Sequence, residues 1–486
     1  MRRTDFRTTL DGRPAGTATG DENTAMSRPK ILVVGSGFAG TECAHKLEKK
    51  LSIDDAEIRL VTPVNHQLYL PLLPHVASGV LTPQAVAVSL RRMLKRTVVI
   101  PGGAIGIDTE TRSVVISKID GTEVIEHYDY LVLTPGSVTR QFNIPGVDRH
   151  AVGVKTLAEA AWIRDHVIAQ MDLAAVAETE EERESRLQFV VVGGGYAGTE
   201  TAAYLQRLTT EAVKRYPALN GNLVKWHLVD IAPRLMPELG EKLGQKALKI
   251  LHKRGLNVSL GVSVAECTED TVTLTDGRKL PCRTLIWTAG VAPSPLIATM
   301  GAPTNRGRLV VNPDLTVPGL PGVFAFGDAA AVPDLHKSGD AVCPPTAQHA
   351  MRQGWAAAHN VMAAVRGFPL KDYSHKDLGL VVDLGGLKAV SKPLGIPLSG
   401  LPAQIVARGY HLMALRTFSA RFRTAAGWLL NSMVGDDFVR TGFQAERAAS
   451  LKDFEYTDVY LTREEILERT RGAAGASGNA VTQPAA

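Results

Sequence analysis

An α/β chain with two parallel sheets and an unlike C-terminal part is predicted by three features. A strand pattern running into a glycine loop and then a helix occurs twice, at 30–50 and at 189–208. A further strand, at 322–326, ends in Gly327-Asp328, and beyond about residue 371 the pattern changes to a short β-like stretch at 380–386 and then, from 401 to 443, to apolar and basic residues at helical spacing. The length of 486 residues is enough for about three domains of roughly 150 residues each. With 45% hydrophobic and 21% charged residues the composition is that of a globular protein, which excludes disordered and collagen-like classes.

Lys30 to Val34 is a buried-strand pattern, and Gly35-Ser36-Gly37-Phe38-Ala39-Gly40 follows it directly, ahead of a helix from Thr41 to Lys50. In this GxGxxG arrangement the first glycine makes a tight turn and the second lets backbone approach a pyrophosphate. The third lets the helix pack close to the strand, and its free N–H groups face the phosphates. The same grammar returns at Phe189 to Val192, then Gly193-Gly194-Gly195-Tyr196-Ala197-Gly198 and a helix through Leu208. Two Rossmann-type dinucleotide sites in one chain are therefore expected.

The strand after each loop should end near the adenosine ribose. Trp226 to Val229 ends at Asp230, a carboxylate suited to the ribose hydroxyls and unfavourable to a 2′-phosphate, so NADH is expected over NADPH there. The equivalent strand of the first site, Ile58 to Val61, ends at Thr62 where an acid is expected, which leaves one hydrogen-bonding hydroxyl and looser ribose recognition. Asp328, after Gly327, would accept from ribityl hydroxyls, which assigns FAD to the first site. Two more strand-to-turn segments, Leu131 to Gly136 with Thr134, and Leu285 to Gly290 with Ala289, complete the set.

Together these five segments, over about Pro29 to Gly367, resemble two-dinucleotide-binding-domain flavoproteins. Disulfide reductases of that kind carry CxxxxC after the first loop, but Cys43 has no partner five residues on. More specifically, the chain resembles the type II NADH:quinone oxidoreductases, the single-subunit, non-proton-pumping NADH dehydrogenases. Asn65-His66-Gln67 through Gly79, Ile286 through Val291, and Pro345 through Gly354 carry the resemblance. In the last of these the AQxAxQ pattern is kept except that Arg352 takes the final glutamine position, with Gln353 one residue later.

The resemblance implies hydride transfer from NADH to FAD and then two electrons to a membrane quinone without proton pumping. The same fold also leaves open an NAD(P)H-dependent reductase of a soluble partner such as ferredoxin, or an NADH-responsive flavoprotein sensor. It places the start of the helix after Pro345 against the flavin, with Ala347 and Gln348 between flavin and quinone, and it brings Glu200 to the nicotinamide and quinone region. Glu200 and Gln348 are the expected catalytic pair, positioning quinone and conducting protons, while a helix-end role remains open for each. The residues expected to hold FAD are Gly35, Gly37, Ala39, Gly40, Thr62, Ile105, Thr134, Gly136, Gly327, Asp328 and Ala347. Those expected to hold NADH are Gly193, Gly195, Tyr196, Gly198, Asp230, Ala289 and Gly290.

The expected domains are FAD-binding at 30–150 and 286–370, discontinuous around an NADH-binding domain at 151–285, followed by a C-terminal region at 371–465. From 401 to 435 there is no acid, and apolar residues alternate with Arg408, Arg416, Arg421 and Arg423. Such stretches suit interfacial helices on an anionic membrane, a homodimer interface, or packing on the chain's own domains; the resemblance favours the membrane, on its cytoplasmic face. No apolar run of about 18 residues exists to cross a bilayer. Residues 1–29 lack the apolar stretch of a signal peptide and read as a disordered lead-in, with Met26 an alternative start, and 466–486 read as a disordered tail. The net charge of +5 is far short of a nucleic-acid binder, so no nucleic-acid partner is expected. Cys43, Cys267, Cys282 and Cys343 are too scattered for a disulfide framework, and no metal site is expected.

Overall fold

A computed structural model describes residues 28–478 apart from 141, 436, 443–448 and 456; the expected lead-in up to residue 27 and the last residues of the expected tail lie outside the described residues. The chain opens with β1 (Lys30–Val34), whose last four residues are all buried, then α1 (Phe38–Lys50) and β2 (Glu57–Thr62). A short helix α2 (Leu73–Ala77) follows. Next come β3 (Val98–Asp108), β4 (Ser113–Lys118), β5 (Glu123–His127) and β6 (Tyr130–Leu133). The ribbon strand β7 (Ser137–Thr139) leaves this body.

The second body begins with β8 (Ala151–Val152) and α3 (Leu157–Ala175), which starts in a capping box between Thr156 and Glu159. It continues through β9 (Gln188–Val192), α4 (Tyr196–Ala212), β10 (Lys225–Asp230), β11 (Leu256–Leu260) and β12 (Thr284–Trp287). The chain returns along β13 (Val291–Pro293), antiparallel to β7. It then adds β14 (Val323–Ala325) and α5 (Ala347–Val365) to the first body.

The first sheet has the order β14-β6-β1-β2-β3-β4-β5. From β14 to β3 it is parallel, with Ile31 opposite Ile58 and Tyr130; β4 and β5 continue it antiparallel. The second sheet, β8-β12-β9-β10-β11, is parallel throughout. Parallel strands covered on both faces need continuous apolar runs, and Val190 to Val192 and Leu285 to Trp287 are all buried. This moves one expected boundary. Residues 286–287 do not open the return to the first body, because Ile286 and Trp287 pair with Val191 and Val192 in the second sheet; the crossing is the β7–β13 ribbon.

The C-terminal part is not one body. A small sheet of β15 (Val381–Asp383), β16 (Ala389–Ser391) and β17 (Leu398–Ser399) carries α6 (Leu401–Ala414), and α7 (Phe418–Val434) follows. The chain then runs back over both nucleotide bodies. Arg164 of α3 donates to the Asp437 carbonyl at 2.8 Å. Glu455, at the end of α8 (Leu451–Glu455), accepts from the Thr139 amide at 2.6 Å on the ribbon. The expected tail also begins too early. Helix α9 (Arg463–Gly478) buries Ile466 against Ile105 and Val115, and the Thr470 hydroxyl donates to Asp108 at 3.0 Å.

Candidate active site

The two glycine loops are near copies of each other. Gly35 and Gly193 turn at φ +100° and +113°, a conformation only glycine adopts without strain. A Cβ at Gly40 would stand 2.0 Å from the Gly35 carbonyl, and one at Gly198 would stand 1.9 Å from the Gly193 carbonyl. Thr134 donates to the Val34 carbonyl at 2.8 Å, and Thr288 donates to the Val192 carbonyl at 2.7 Å. Neither helix has a side-chain cap: α1 starts after Gly37 and α4 after Gly195 with their first N–H groups free of one. Among the described residues, no atom beyond the chain neighbours lies within 4 Å of where a Cβ would stand on Gly37, Gly136 or Gly195, so each loop is open on one side. Free donors, a positive helix end and open space above glycine backbone suit the pyrophosphate of a dinucleotide.

At the strand ends the copies diverge. The buried Thr62 hydroxyl shares a 2.7 Å hydrogen bond with Ser36. Beside it a cleft of about 300 Å³ is lined by Thr62, Asn65, His66, Arg91, Pro101 and Ile119. Asp230 instead accepts from the Gly194 amide and, at 2.6 Å, from the Ala232 amide, so its carboxylate braces the second loop.

Gly327 and Asp328 meet the first loop. Gly327, at φ +74°, would bring a Cβ within 3.2 Å of the Ala39 Cβ. Its amide donates to Gln353 Oε1 at 2.8 Å. Ser137 bridges Asp328 and Lys155, donating to the carboxylate at 2.8 Å and accepting from the ammonium at 2.8 Å. Thus Gly327 stands against Ala39 of α1 and Ala350 of α5, which brings the first loop, Gly327-Asp328 and α5 together, and the free donors and open backbone of that loop fit FAD. In the second, Tyr196 opens α4, and the Arg140 amide donates to the Gly290 carbonyl at 3.3 Å beside Ala289. Ile105 departs from expectation: a register shift between Ala104 and Gly106 leaves its side chain in an apolar cluster with Val115 and Ile466, closed by α9. The glutamine question in α5 is also answered by helix phase. Arg352 is half-buried and donates to the Gln348 carbonyl at 3.1 Å, whereas Gln353 is 2% exposed and reaches Gly327.

The expected catalytic residues both touch the C-terminal part. Gln348 donates to Asp377 at 2.9 Å, and its side-chain carbonyl accepts from the Leu378 amide at 2.8 Å and pairs with His375 at 2.9 Å. Glu200 is buried and accepts from the Asp383 amide at 2.7 Å. Burial raises its carboxyl well above the ordinary range, and the charge of Asp383 adds to this against the pull of that amide. Burial likewise pushes His75 and His411, both within this region, down to about 3.

One residue the reading of the sequence missed is Glu42. Gly40-Thr41-Glu42 and Gly198-Thr199-Glu200 occupy the same place in the two repeats, and that repetition was the available signal. Glu42 is 1% exposed. Its carboxylate is ion-paired with Arg416 and accepts from Trp355 Nε1 at 2.6 Å. The Arg416 guanidinium lies 5.7 Å from the Trp355 ring centre.

Comparison with known proteins agrees with this layout. Residues 29–354 match the family model of the pyridine nucleotide-disulphide oxidoreductases. A type II NADH:quinone oxidoreductase of Staphylococcus aureus is 29% identical over 384 residues, covering 78% of this chain and 93% of that protein. One from Mycobacterium tuberculosis is 28% identical over 417 residues, covering 82% and 87%. Among solved structures, NDH2 from Plasmodium falciparum in complex with NADH superposes with a TM-score of 0.78 at 20% identity, covering 85% of this chain and 100% of that one. The sulfide:quinone oxidoreductase of Aquifex aeolicus gives 0.62 at 19% identity, covering 84% and 96%.

Proposed function

This chain belongs to the pyridine nucleotide-disulphide oxidoreductase family, and on that premise we propose that it is a type II NADH:quinone oxidoreductase, taking two electrons from NADH through FAD to a membrane quinone. The observation that carries this reading is the combination of two open glycine cradles with a C-terminal segment that hydrogen-bonds both Gln348 and Glu200. Family members that work through thiols need a reactive cysteine. Here all four cysteines are free and buried, and burial pushes the Cys43 thiol up, away from the reactive thiolate.

Gly35, Gly37, Ala39, Gly40, Thr134, Gly136, Gly327, Asp328 and Ala347 would hold FAD, with Thr62 and the cleft beside it at the adenosine end. Gly193, Gly195, Tyr196, Gly198, Asp230, Ala289 and Gly290 would hold NADH. Bound flavin supplies the two-electron relay between NADH and the acceptor. The chain's own part is placement, exclusion of water, and a proton. The balance NADH + H⁺ + quinone → NAD⁺ + quinol takes one proton from water per turnover, and the buried Glu200 carboxyl is the group that delivers it, with Gln348 orienting the quinone carbonyl.

Helices α6 and α7 explain how a lipid-soluble acceptor arrives. Ile405, Met413, Phe418, Phe422, Leu429 and Met433 are all at least 60% exposed, among Arg408, Arg421 and Arg423 with no acid from 401 to 435. An apolar face edged with arginine lies in the plane of an anionic membrane. No described helix is long and apolar enough to cross one. We place the chain peripherally on the cytoplasmic face of the cell membrane, as its resemblance to the type II enzymes implies.

The test is steady-state oxidation of NADH and of NADPH by FAD-reconstituted protein with a menaquinone or ubiquinone analogue and, separately, with ferredoxin. Rapid quinone-dependent oxidation preferring NADH is expected. Flavin bleaching by NADH with turnover on ferredoxin alone would overturn the acceptor. Co-flotation with anionic but not neutral vesicles is expected from α6 and α7; a dimer in solution that ignores vesicles would show that this face pairs with a second copy.

A further inference from the structure

Glu200 does not sit alone. The Asp383 carboxylate next to it is 1% exposed, and Oδ1 accepts from the Gly385 amide at 2.7 Å while Oδ2 accepts from Gln404 at 2.6 Å. His75 Nε2 and Arg408 Nε each stand 3.9 Å from the same Oδ2. His75 Nδ1 accepts from Trp428 Nε1 at 3.1 Å, so the neutral ring carries its proton on Nε2, facing Asp383. The His75 and Tyr204 rings are 4.2 Å apart, centre to centre.

Charged or titratable groups reach this carboxylate from every side: Glu200 and Tyr204 from α4, His75 from α2, Arg408 and His411 from α6, and Arg254, whose guanidinium donates to the Gly385 carbonyl at 2.6 Å. Three buried polar atoms on the groups around this carboxylate have no hydrogen-bond partner among the described residues: the Tyr204 hydroxyl, Gln404 Oε1 and Arg408 Nε. Buried polar atoms without partners are costly, and their gathering at one spot marks a place where polar groups or protons are exchanged.

We propose that Asp383, faced by the neutral His75 ring, forms with Glu200 a buried proton couple that draws a proton back to Glu200 after each reduction of the acceptor. The proposal rests on the quinone-reductase reading above. Two neighbouring buried carboxyls do not both ionise cheaply. Asp383 has two hydrogen-bond donors and a nearby arginine and is the ionised partner; Glu200 has a single amide and carries the proton. When Glu200 gives its proton to an acceptor oxygen, an O–H bond breaks on the carboxyl and one forms on the acceptor. A second buried carboxylate is then left beside Asp383. The repulsion draws one proton back to Glu200, and that proton comes from water at the exposed turn of residues 386–388 just beyond Asp383. Asp383 is a positioning residue in this scheme, acting through Glu200.

The experiment compares FAD-reconstituted wild type with Asp383→Asn across pH. Quinone-dependent kcat of the variant is expected to fall about tenfold above neutrality, the occupancy change that one pKa unit carries, with its alkaline limb moved to lower pH. KM for NADH and the bleaching of flavin by NADH should be unchanged. A superimposable profile overturns the couple. Should Asp383→Asn fail to fold, Asp383→Ser makes the same test: it removes the charge but keeps an acceptor near the Gly385 amide, so an unmoved alkaline limb overturns the proposal. A second readout needs no acceptor. The infrared band of a protonated carboxyl that is lost in Glu200→Gln should titrate at lower pH in Asp383→Asn, and an unmoved band overturns the couple. Wild type that bleaches with NADH but is not reoxidised by quinone would overturn the acceptor reading instead, and the infrared arm still decides the couple.

Discussion

Glu42 and Glu200 stand at the same position of two strand-loop-helix repeats of the same pattern, yet one is ion-paired with Arg416 and the other accepts from the Asp383 amide with, among the described residues, no cation hydrogen-bonded to it. The loops before them are alike down to the threonine that ties each helix start to its strand, Thr134 in one and Thr288 in the other. What differs is what the C-terminal part lays against each helix: the α6–α7 corner with Arg416 on the first, β15 with Asp383 on the second. A glycine loop thus builds a cradle from local sequence, whereas the charge state of the glutamate behind it is decided by residues far along the chain. The first glutamate is structural, and the second is left free to hold a proton.

The largest expected effect breaks the structural half of this contrast. Arg416→Gln leaves the buried Glu42 carboxylate without its cation. Loss of one partner of a buried pair costs about 3 kcal/mol here, at the lower end of its range because Arg416 is 29% exposed. Chemical denaturation should read this loss, and a change within about 0.5 kcal/mol, the range of ordinary surface substitutions, would make the pair dispensable. Next come the loops themselves. Gly40→Ala and Gly198→Ala each drive a Cβ into a carbonyl, so both displace the helix start, but with different readouts. Gly40→Ala should yield protein without flavin absorbance. Gly198→Ala should keep its flavin and need about tenfold or more NADH to bleach it. Identical losses in both would mean that the cradles do not hold different dinucleotides.

A smaller effect tests the strand ends. Asp230→Asn removes the charge opposed to a 2′-phosphate, and the preference for NADH over NADPH should shrink about tenfold in kcat/KM. The smallest concerns acid stability on the Glu200 side. His75 and His411 are held neutral, with values pushed down to about 3 from the ordinary 6.5. The unfolded chain therefore binds protons that the folded chain refuses, and stability falls as pH drops from about 6.5 towards 3, by about 1 kcal/mol per histidine over the first unit. Melting temperature against pH should show this decline, and His411→Gln should flatten it; a variant that declines as steeply as wild type would remove His411 from the cause.

The cradles were legible in the sequence because much of the glycine geometry is local: Gly35 and Gly193 turn at positive φ, and Gly40 and Gly198 pack on the carbonyls of Gly35 and Gly193 five residues before them. Thr62 was legible for the same reason, as the last residue of an apolar run. The domain crossing at Ile286 and Trp287 was read early because a buried run does not announce which sheet it joins. Ile105 was misplaced by a bulge, and the tail was begun too soon because a polar, Gly/Ala-rich helix buries only a few residues, Ile466 and Thr470 among them. Asp383, His75 and His411 could not be found at all. Their partners lie 183, 353 and 342 residues away along the chain, and no periodicity links them.

The division between the two glutamates is tested most directly by mixing NADH-reduced holoprotein with a quinone analogue in a stopped-flow instrument and following flavin reoxidation in wild type, Glu42→Gln and Glu200→Gln. Reoxidation should slow by about a hundredfold in Glu200→Gln, the scale of a lost acid–base group, and stay near the wild-type rate in whatever fraction of Glu42→Gln remains folded. Equal rates in wild type and Glu200→Gln, or a loss confined to Glu42→Gln, would contradict it.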